Sequence, residues 1–251
     1  MTIENFILLA GAGLLGGTMN ALAGGGSFVT LPAMIAAGLP SVNANASSTV
    51  ALYPGGATSA LVYRDGLRPI GGVSIKVMLA VMLAGGLIGS LLLLWTPSSA
   101  FDHMLPWLLL TATLTMIFAS RLAPWLHGHV SIGPKPVLAL QLLLGVYSGF
   151  FGGAVGLMML AVWSLLADAD IKALNPTRML MVTASNAIAA LTFIIAGAIW
   201  WRETVIMAVT AVIGGYVGAV VGKRLDPGIV RGLTIGLSIS VTIIFFVRSL
   251  G

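Results

Sequence analysis

The chain has 251 residues, of which 58% are hydrophobic and 8% charged, with a formal net charge of +5 and no cysteine. A soluble domain is about 25% charged, so a chain with a mean hydropathy of +1.06 is an integral membrane protein, and the lack of cysteine excludes disulfides, thiolate metal sites and sulfur-relay chemistry. The 12 basic residues never cluster with aromatics on one polar face, which assigns the positive charge to cytoplasmic loops and not to nucleic acid.

Judged against the roughly 20 residues that cross a bilayer, apolar stretches cover 3–37, 42–63, 70–95, 103–121, 135–167, 173–200, 204–222 and 229–248. Turn residues or charges separate them at Gly38-Leu39-Pro40, Arg64-Asp65-Gly66, Thr96 to Ser99, Arg121 to Pro136, Asp168 to Lys172, Arg202-Glu203 and Lys223 to Gly228. Tyr63, Trp95, Trp107, Trp125, Trp200 and Trp201 sit at the edges, as an interfacial aromatic belt requires. The first stretch imitates a secretory signal, with Phe6 to Leu15 as its apolar region and Ala21-Leu22-Ala23 as a cleavage site. Glu4 in place of a basic residue, and a similar string at Gly145 to Gly156, argue against that reading.

The segment Gly16-Gly17-Thr18-Met19-Asn20-Ala21-Leu22-Ala23-Gly24-Gly25-Gly26-Ser27 breaks the first stretch. Three adjacent glycines each weaken a helix by roughly 0.8–1 kcal/mol relative to Ala. Backbone groups freed inside hydrocarbon must then find partners in protein, water or ligand. Gly145-Val146-Tyr147-Ser148-Gly149-Phe150-Phe151-Gly152-Gly153-Ala154-Val155-Gly156 breaks the fifth stretch in the same way. Paired breaks in corresponding places of two halves point to a transporter binding site.

The glycine blocks also reveal a repeat. Gly17 and Gly24-Gly25 align with Gly145 and Gly152-Gly153, Asn45-Ala46-Ser47 with Asn175-Pro176-Thr177, and Gly85-Gly86-x-x-Gly89 with Gly214-Gly215-x-x-Gly218, at offsets within a residue or two of 129. The expected fold is all-α and polytopic, with transmembrane repeats at 1–125 and 134–251 joined by a linker at about 126–133. Basic residues at Arg64/Arg68, Arg121/Lys135 and Lys223/Arg224/Arg231 place three loops in the cytoplasm. Three apolar stretches between Lys135 and Lys223 then require one that makes no net crossing. The broken 135–167 fits as two short helices forming a hairpin that enters and returns, and 3–37 fits likewise. Three net crossings per repeat make the halves inverted relative to each other.

Helix starts supply the chemistry. One is expected after Gly26 with Ser27 near its cap and another around Asn43/Asn45 with Ser47-Ser48-Thr49 in its first turns. A third is expected at Asn175-Pro176-Thr177-Arg178, with Asn as N-cap and Pro at N1. Such starts present unpaired N–H groups and about half a positive charge. Converging at mid-membrane, they make an anion site, with Arg178 able to pair bidentately with an oxyanion. Plainer readings stand beside these. Gly85/Gly89, Gly152/Gly156 and Gly214/Gly218/Gly222 suit close helix packing, Arg178 suits snorkelling to the interface, Tyr53-Pro54-Gly55-Gly56 suits a kink, and Asn20, Ser185 and Asn186 suit interhelical hydrogen bonds.

The broken Gly-rich segment, Leu31-Pro32, the Gly38-Leu39-Pro40 turn, Asn43-Ala44-Asn45-Ala46-Ser47-Ser48, the second Gly-Gly segment and Ala173-x-x-x-Thr177 together resemble the TauE/SafE sulfite exporter family. The resemblance spans essentially the whole chain and implies a bacterial inner-membrane carrier for sulfite or organosulfonates such as sulfoacetate. It implies substrate contacts at Asn20, Gly24, Gly25, Gly26, Ser27, Ser47, Ser48, Thr49, Gly152, Gly153, Thr177 and Arg178, to which the residues themselves add Asn175, Ser185 and Asn186. Asn175-Pro176 departs from the family pattern, and the particular anion is left open.

No carboxylate falls mid-membrane: Asp65, Asp102, Asp168, Asp170, Glu203 and Asp226 all lie at boundaries. Moving one negative charge outward across an inside-negative potential gains about 2.3 kcal/mol per 100 mV, which suits electrogenic uniport. An anion channel, or a carrier of a different small organic anion, is the alternative. With three peripheral histidines, His103, His127 and His129, and no buried carboxylate pair, neither enzyme chemistry nor a metal or cofactor is expected. The expected partners are a small anion and the lipid bilayer, with no nucleic acid; the Gly-rich faces suit a homodimer as well as packing within one chain.

Overall fold

The computed structural model describes residues 2–62, 66–127, 133–153, 155–166, 171–222 and 224–250. Tyr63, Arg64, Asp65, His129, Ala154, Asp168, Asp170 and Lys223 fall outside the described residues. Ten helices are present among the described residues: α1 (Ile3–Ala23), α2 (Ser27–Ala36), α3 (Ser41–Val62), α4 (Ile75–Trp95), α5 (Ser98–His127), α6 (Pro134–Phe150), α7 (Val155–Leu166), α8 (Ile171–Ile195), α9 (Trp201–Gly222) and α10 (Pro227–Leu250). Five carry a stretch long and apolar enough to cross a membrane: Ile3–Leu22, Ile75–Trp95, Ala173–Ile195, Trp201–Gly222 and Gly228–Arg248. The protein is therefore an all-α polytopic membrane protein.

Both broken stretches divide where the glycines fall. α1 ends on Gly24, whose φ of 75° is left-handed and whose N–H donates to the Asn20 carbonyl at 2.9 Å. α6 ends just before Gly152, with a φ of 71°, after the Phe151 N–H donates to the Tyr147 carbonyl at 2.9 Å. Only glycine takes this conformation without a Cβ penalty, so each break turns on a left-handed glycine. Their arms are unequal, however. α2 has 10 residues and α7 has 12, but α1 has 21, or about 31 Å at 1.5 Å per residue, the thickness of a bilayer core and longer than the short arm expected.

Two helix starts lie earlier than their local cap signals suggest. α3 begins at Ser41, directly after Pro40, so Ser47, Ser48 and Thr49 occupy its second and third turns. α8 already covers Ile171, and Pro176 is inside it. Asn175 is therefore not the N-cap and Pro176 is not at N1. Residues 171–174 are helical and apolar in the main, and a helix running through them satisfies backbone groups that an irregular approach to Asn175 would expose to hydrocarbon.

Helix directions follow from residue contacts. Glycines let α1 run parallel to α9, since Gly17 abuts Ala211 and a Cβ on Gly218 would lie 2.6 Å from the Thr18 carbonyl oxygen. α4 runs parallel to α6 in the same manner, with Gly85 against Gly145 and Gly89 against Phe150. The plain reading of Gly85/Gly89 and Gly214/Gly218 as packing surfaces therefore holds. α3 and α8 are antiparallel: Asn43 Nδ2 donates to the Ala198 carbonyl at 2.9 Å, Thr183 Oγ1 to the Gly56 carbonyl at 3.2 Å, and Thr177 faces Arg68. α5 and α10 are also antiparallel, with Trp107 against Phe246 and Thr113 against Ser238 and Thr242. Exchanging α1–α5 for α6–α10 maps the α1–α9, α3–α9, α5–α7 and α1–α2 pairings onto α6–α4, α8–α4, α10–α2 and α6–α7.

Candidate functional site

The two breaks meet inside the protein, each against a helix of the other half. A Cβ on Gly24 would lie 2.8 Å from Gly156 Cα, in the first turn of α7, and 3.3 Å from Arg178 Nη1 on α8. A Cβ on Gly152 would lie 3.6 Å from Thr49 Oγ1 on α3 and 3.8 Å from Ser27 Oγ, at the start of α2. The amino ends of both short helices, α2 and α7, are thus at the crossing, where their unpaired N–H groups can bond an anion. The amino ends of α3 and α8 are not; these helices present side chains from their interior turns. Ser27, Thr49 and Arg178 are all buried, Arg178 completely, so its guanidinium belongs to the protein interior and not to a membrane interface.

The remaining sequence-derived candidates divide by what already engages them. Asn20 lines the same region from α1: a Cβ on Gly26 would sit 2.8 Å from its Cβ, and one on Gly56 would sit 3.5 Å from its Nδ2. Gly25 faces Thr234 of α10, and Gly153 faces the ring of its own neighbour Phe151. Ser48 Oγ pairs with Thr30 Oγ1 at 2.6 Å, linking α2 to α3. Ser47 Oγ accepts from the Trp200 N–H at 3.1 Å. Thr177 Oγ1 accepts from the Arg68 N–H and donates to the Arg68 carbonyl, both at 2.9 Å, which ties α8 to the segment before α4. Asn175 is half-buried on α8. Ser185 Oγ and Asn186 Oδ1 are buried and have no hydrogen-bond partner.

Further residues border the crossing: Asn45, expected from sequence as part of a helix start, Gly156, expected as a packing glycine, and Ser148 and Thr183, neither of them expected as a contact. Asn45 Nδ2 donates at 2.9 Å to the carbonyl of Phe150, the last residue of α6, while its Oδ1 is buried without a partner. Ser148 Oγ, in the last turn of α6, is likewise buried without a partner. Ser148 holds the register position of Asn20 in the repeat, so the alignment of halves carried the signal for it. Gly156 belongs to the second broken segment read from the sequence, and Thr183 gives no such signal. The second hairpin is also pinned internally, because Trp163 Nε1 of α7 donates to Gln141 Oε1 of α6 at 3.2 Å and both side chains are buried. Among the described residues no group of His, Asp or Glu could hold a metal ion.

A polytopic helical membrane protein in which two interrupted helices meet amino end to opposite half defines a protein of the membrane-transporter class. Residues 9–245 match the family described as Sulfite exporter TauE/SafE, and the chain belongs to that family. It is similar to a "Probable membrane transporter protein" of Haemophilus influenzae, 28% identical over 245 residues that make up 96% of this chain and 94% of that protein. Similarity extends to the "Probable membrane transporter protein YfcA" of Escherichia coli K12, 27% identical over 84% of this chain and 77% of that one. The "Probable membrane transporter protein ORF9" of a Sinorhizobium species is 28% identical over 92% and 88%. No solved structure matches the chain at a significant level.

Proposed function

We propose that the protein is a secondary carrier of the bacterial inner membrane that exports a small sulfur-containing oxyanion, sulfite or an organosulfonate such as sulfoacetate, as an electrogenic uniporter. The observation that carries this reading is the juxtaposition of Gly24 with Gly156 and Arg178, and of Gly152 with Ser27 and Thr49. Two half-helix amino ends, the Ser27 and Thr49 hydroxyls and the Arg178 guanidinium then border the two breaks. Tetrahedral oxyanions suit such a donor set, because each oxygen accepts N–H and O–H bonds from several directions.

The halves are read as inverted repeats, residues 1–125 and 134–251. In support, the counterpart helices α3 and α8 are antiparallel, as are α5 and α10. Thr113 and Thr242 touch at 3.4 Å and are 129 residues apart, the repeat offset itself, as expected for equivalent residues lying on a twofold axis. With Arg68 and Arg224 cytoplasmic, that arrangement gives the site alternate access from the two sides.

Reconstitution into vesicles tests the function. With sulfite or sulfoacetate trapped inside, outward flux should saturate with concentration and rise as the interior is made negative, since one charge moving outward gains about 2.3 kcal/mol per 100 mV. Flux indifferent to imposed voltage refutes uniport of an anion, and flux that never saturates favours the channel. Saturable flux of carboxylates with none of sulfonates points to a different organic anion.

A further inference from the structure

Hydrogen-bonding groups around the crossing are not of one kind. Donors gather at Gly25 to Ser27, at the start of α7 and at Arg178. Around the carboxyl end of α6 lie an amide oxygen that can only accept, that of Asn45, and serine hydroxyls that can accept as well as donate. Asn45 reaches that end through Phe150, and its amide cannot be turned over, because a flip would set Oδ1 against the Phe150 carbonyl. Oδ1 therefore remains as an acceptor-only oxygen, 1% exposed and without a partner. Ser148 lies in the same turn. Gly86 touches both Gly149 and Ser185, which brings Ser185, the chain neighbour of Asn186, against that turn from α8. Ser148 Oγ, Ser185 Oγ and Asn186 Oδ1 are at least nine-tenths buried and unpartnered. The carboxyl end of α6 adds its own partial negative charge.

A buried amide oxygen left without a donor costs free energy, and a fully deprotonated oxyanion cannot relieve it. We propose that the substrate carries a hydrogen-bond donor beside its anionic group, an O–H or N–H that the acceptors around the end of α6 receive while the oxyanion faces the α2 and α7 amino ends. This inference rests on the sulfur-oxyanion reading above and narrows it to protonated or hydroxylated monoanions, such as hydrogen sulfite or a hydroxyalkanesulfonate, against plain alkanesulfonates and dianions. A site built to bond a substrate hydroxyl discriminates strongly against the analogue that lacks it, because its polar groups are then buried unpaired.

The test uses the full-length purified protein and two matched pairs, methanesulfonate with hydroxymethanesulfonate and ethanesulfonate with 2-hydroxyethanesulfonate, measured by calorimetry and thermal shift. The hydroxylated member of each pair should bind tighter by roughly tenfold or more. Sulfite should bind tighter as pH falls through its own titration to the monoanion, with methanesulfonate flat over the same range. In Ser148→Ala and Asn186→Leu the ratio within each pair should shrink toward one; the ratio is the readout, so a general loss of affinity does not imitate it. Equal binding within the pairs overturns this inference alone. Dependence of the plain sulfonates on sodium, lost when N-methylglucamine replaces it, also overturns it by assigning the acceptors to a cation. Failure of every sulfonate and of sulfite to bind overturns the transport proposal and this inference together.

Discussion

Gly24→Ala and Gly152→Ala form a matched experiment, because the two glycines share a backbone conformation and differ in what surrounds them. Both are left-handed, with φ of 75° and 71°, so an alanine at either position carries a conformational cost of about 1–2 kcal/mol. At Gly152 that is nearly the whole cost, since its methyl would meet Thr49 Oγ1 and Ser27 Oγ at 3.6 and 3.8 Å, ordinary contact distances. At Gly24 the methyl would sit 2.8 Å from Gly156 Cα. Backbone cannot rotate away as a side chain can, so α1 and α7 must separate, at a further cost of about 1–3 kcal/mol. The total is about 2–5 kcal/mol for Gly24→Ala against 1–2 for Gly152→Ala. At about 2–4 °C per kcal/mol for a chain of this size, the first variant should melt several degrees below the second in detergent. Function should rank them differently, because the Gly152 methyl enters the space between two site hydroxyls. Anion binding should therefore weaken in Gly152→Ala beyond anything its modest melting shift explains. Gly152→Ala as destabilised as Gly24→Ala, or Gly24→Ala melting like the unsubstituted protein, would refute the backbone contact on which the crossing depends.

Other substitutions probe the frame around the site. Gly218→Ala would place a methyl 2.6 Å from the Thr18 carbonyl oxygen and should lower stability by about 1–3 kcal/mol. Gly236→Ala, whose methyl meets nothing within 4 Å, should be neutral or raise stability by about 0.5–1 kcal/mol; thermal melts of the pair check both. Gln141→Leu strands the buried Trp163 N–H and should cost about 1–3 kcal/mol, and clearly less when Trp163 is already Phe, a difference read as the coupling energy of a double-mutant cycle. Thr177→Val removes both bonds to Arg68 and should destabilise by about 1–3 kcal/mol, while Thr177→Ser keeps them and melts near the unsubstituted protein.

Glycine made much of this arrangement readable in advance. A glycine triplet inside an apolar stretch leaves a helix few ways to continue, so the α1–α2 and α6–α7 breaks could be placed from sequence, as could the packing role of Gly85, Gly89, Gly214 and Gly218. The starts of α3 and α8 could not, because Asn43, Asn45 and Asn175-Pro176 are strong local cap signals that the membrane environment overrides. Nor could the division of labour among hydroxyls. Ser47, Ser48 and Thr177 read alike in sequence with Thr49 and Ser27, yet their partners Trp200, Thr30 and Arg68 are set by tertiary contacts far along the chain. The burial of Arg178 against Gly24 is of the same kind, since it depends on how one half meets the other.

Within each break a carboxyl end is followed, a few residues later, by an amino end, so the partial charges of about −0.5 and +0.5 largely offset one another at the crossing. Dipoles alone therefore give weak preference for an anion, and the sign of the site is decided by side chains. In the alignment of the halves that sets Asn45-Ala46-Ser47 on Asn175-Pro176-Thr177, the next position holds Ser48 in the first and Arg178 in the second. Gly24 faces that arginine, while Gly152 faces Thr49, beside the serine. Among the described residues named at the two breaks, Arg178 thus carries the one formal charge. Arg178→Ser equalises the halves and removes the charge, and since hydrogen bonds to charged groups contribute about 1.5–3 kcal/mol, sulfite or sulfonate affinity should fall roughly 10- to 150-fold. Arg178→Lys should fall between, keeping the charge but losing the planar fork. Melting curves taken alongside separate this from a folding defect. If Arg178→Ser binds within about twofold of the unsubstituted protein, an effect below what hydrogen bonds to a charge contribute, the guanidinium serves the packing of α8 and the site draws its selectivity from backbone N–H groups alone.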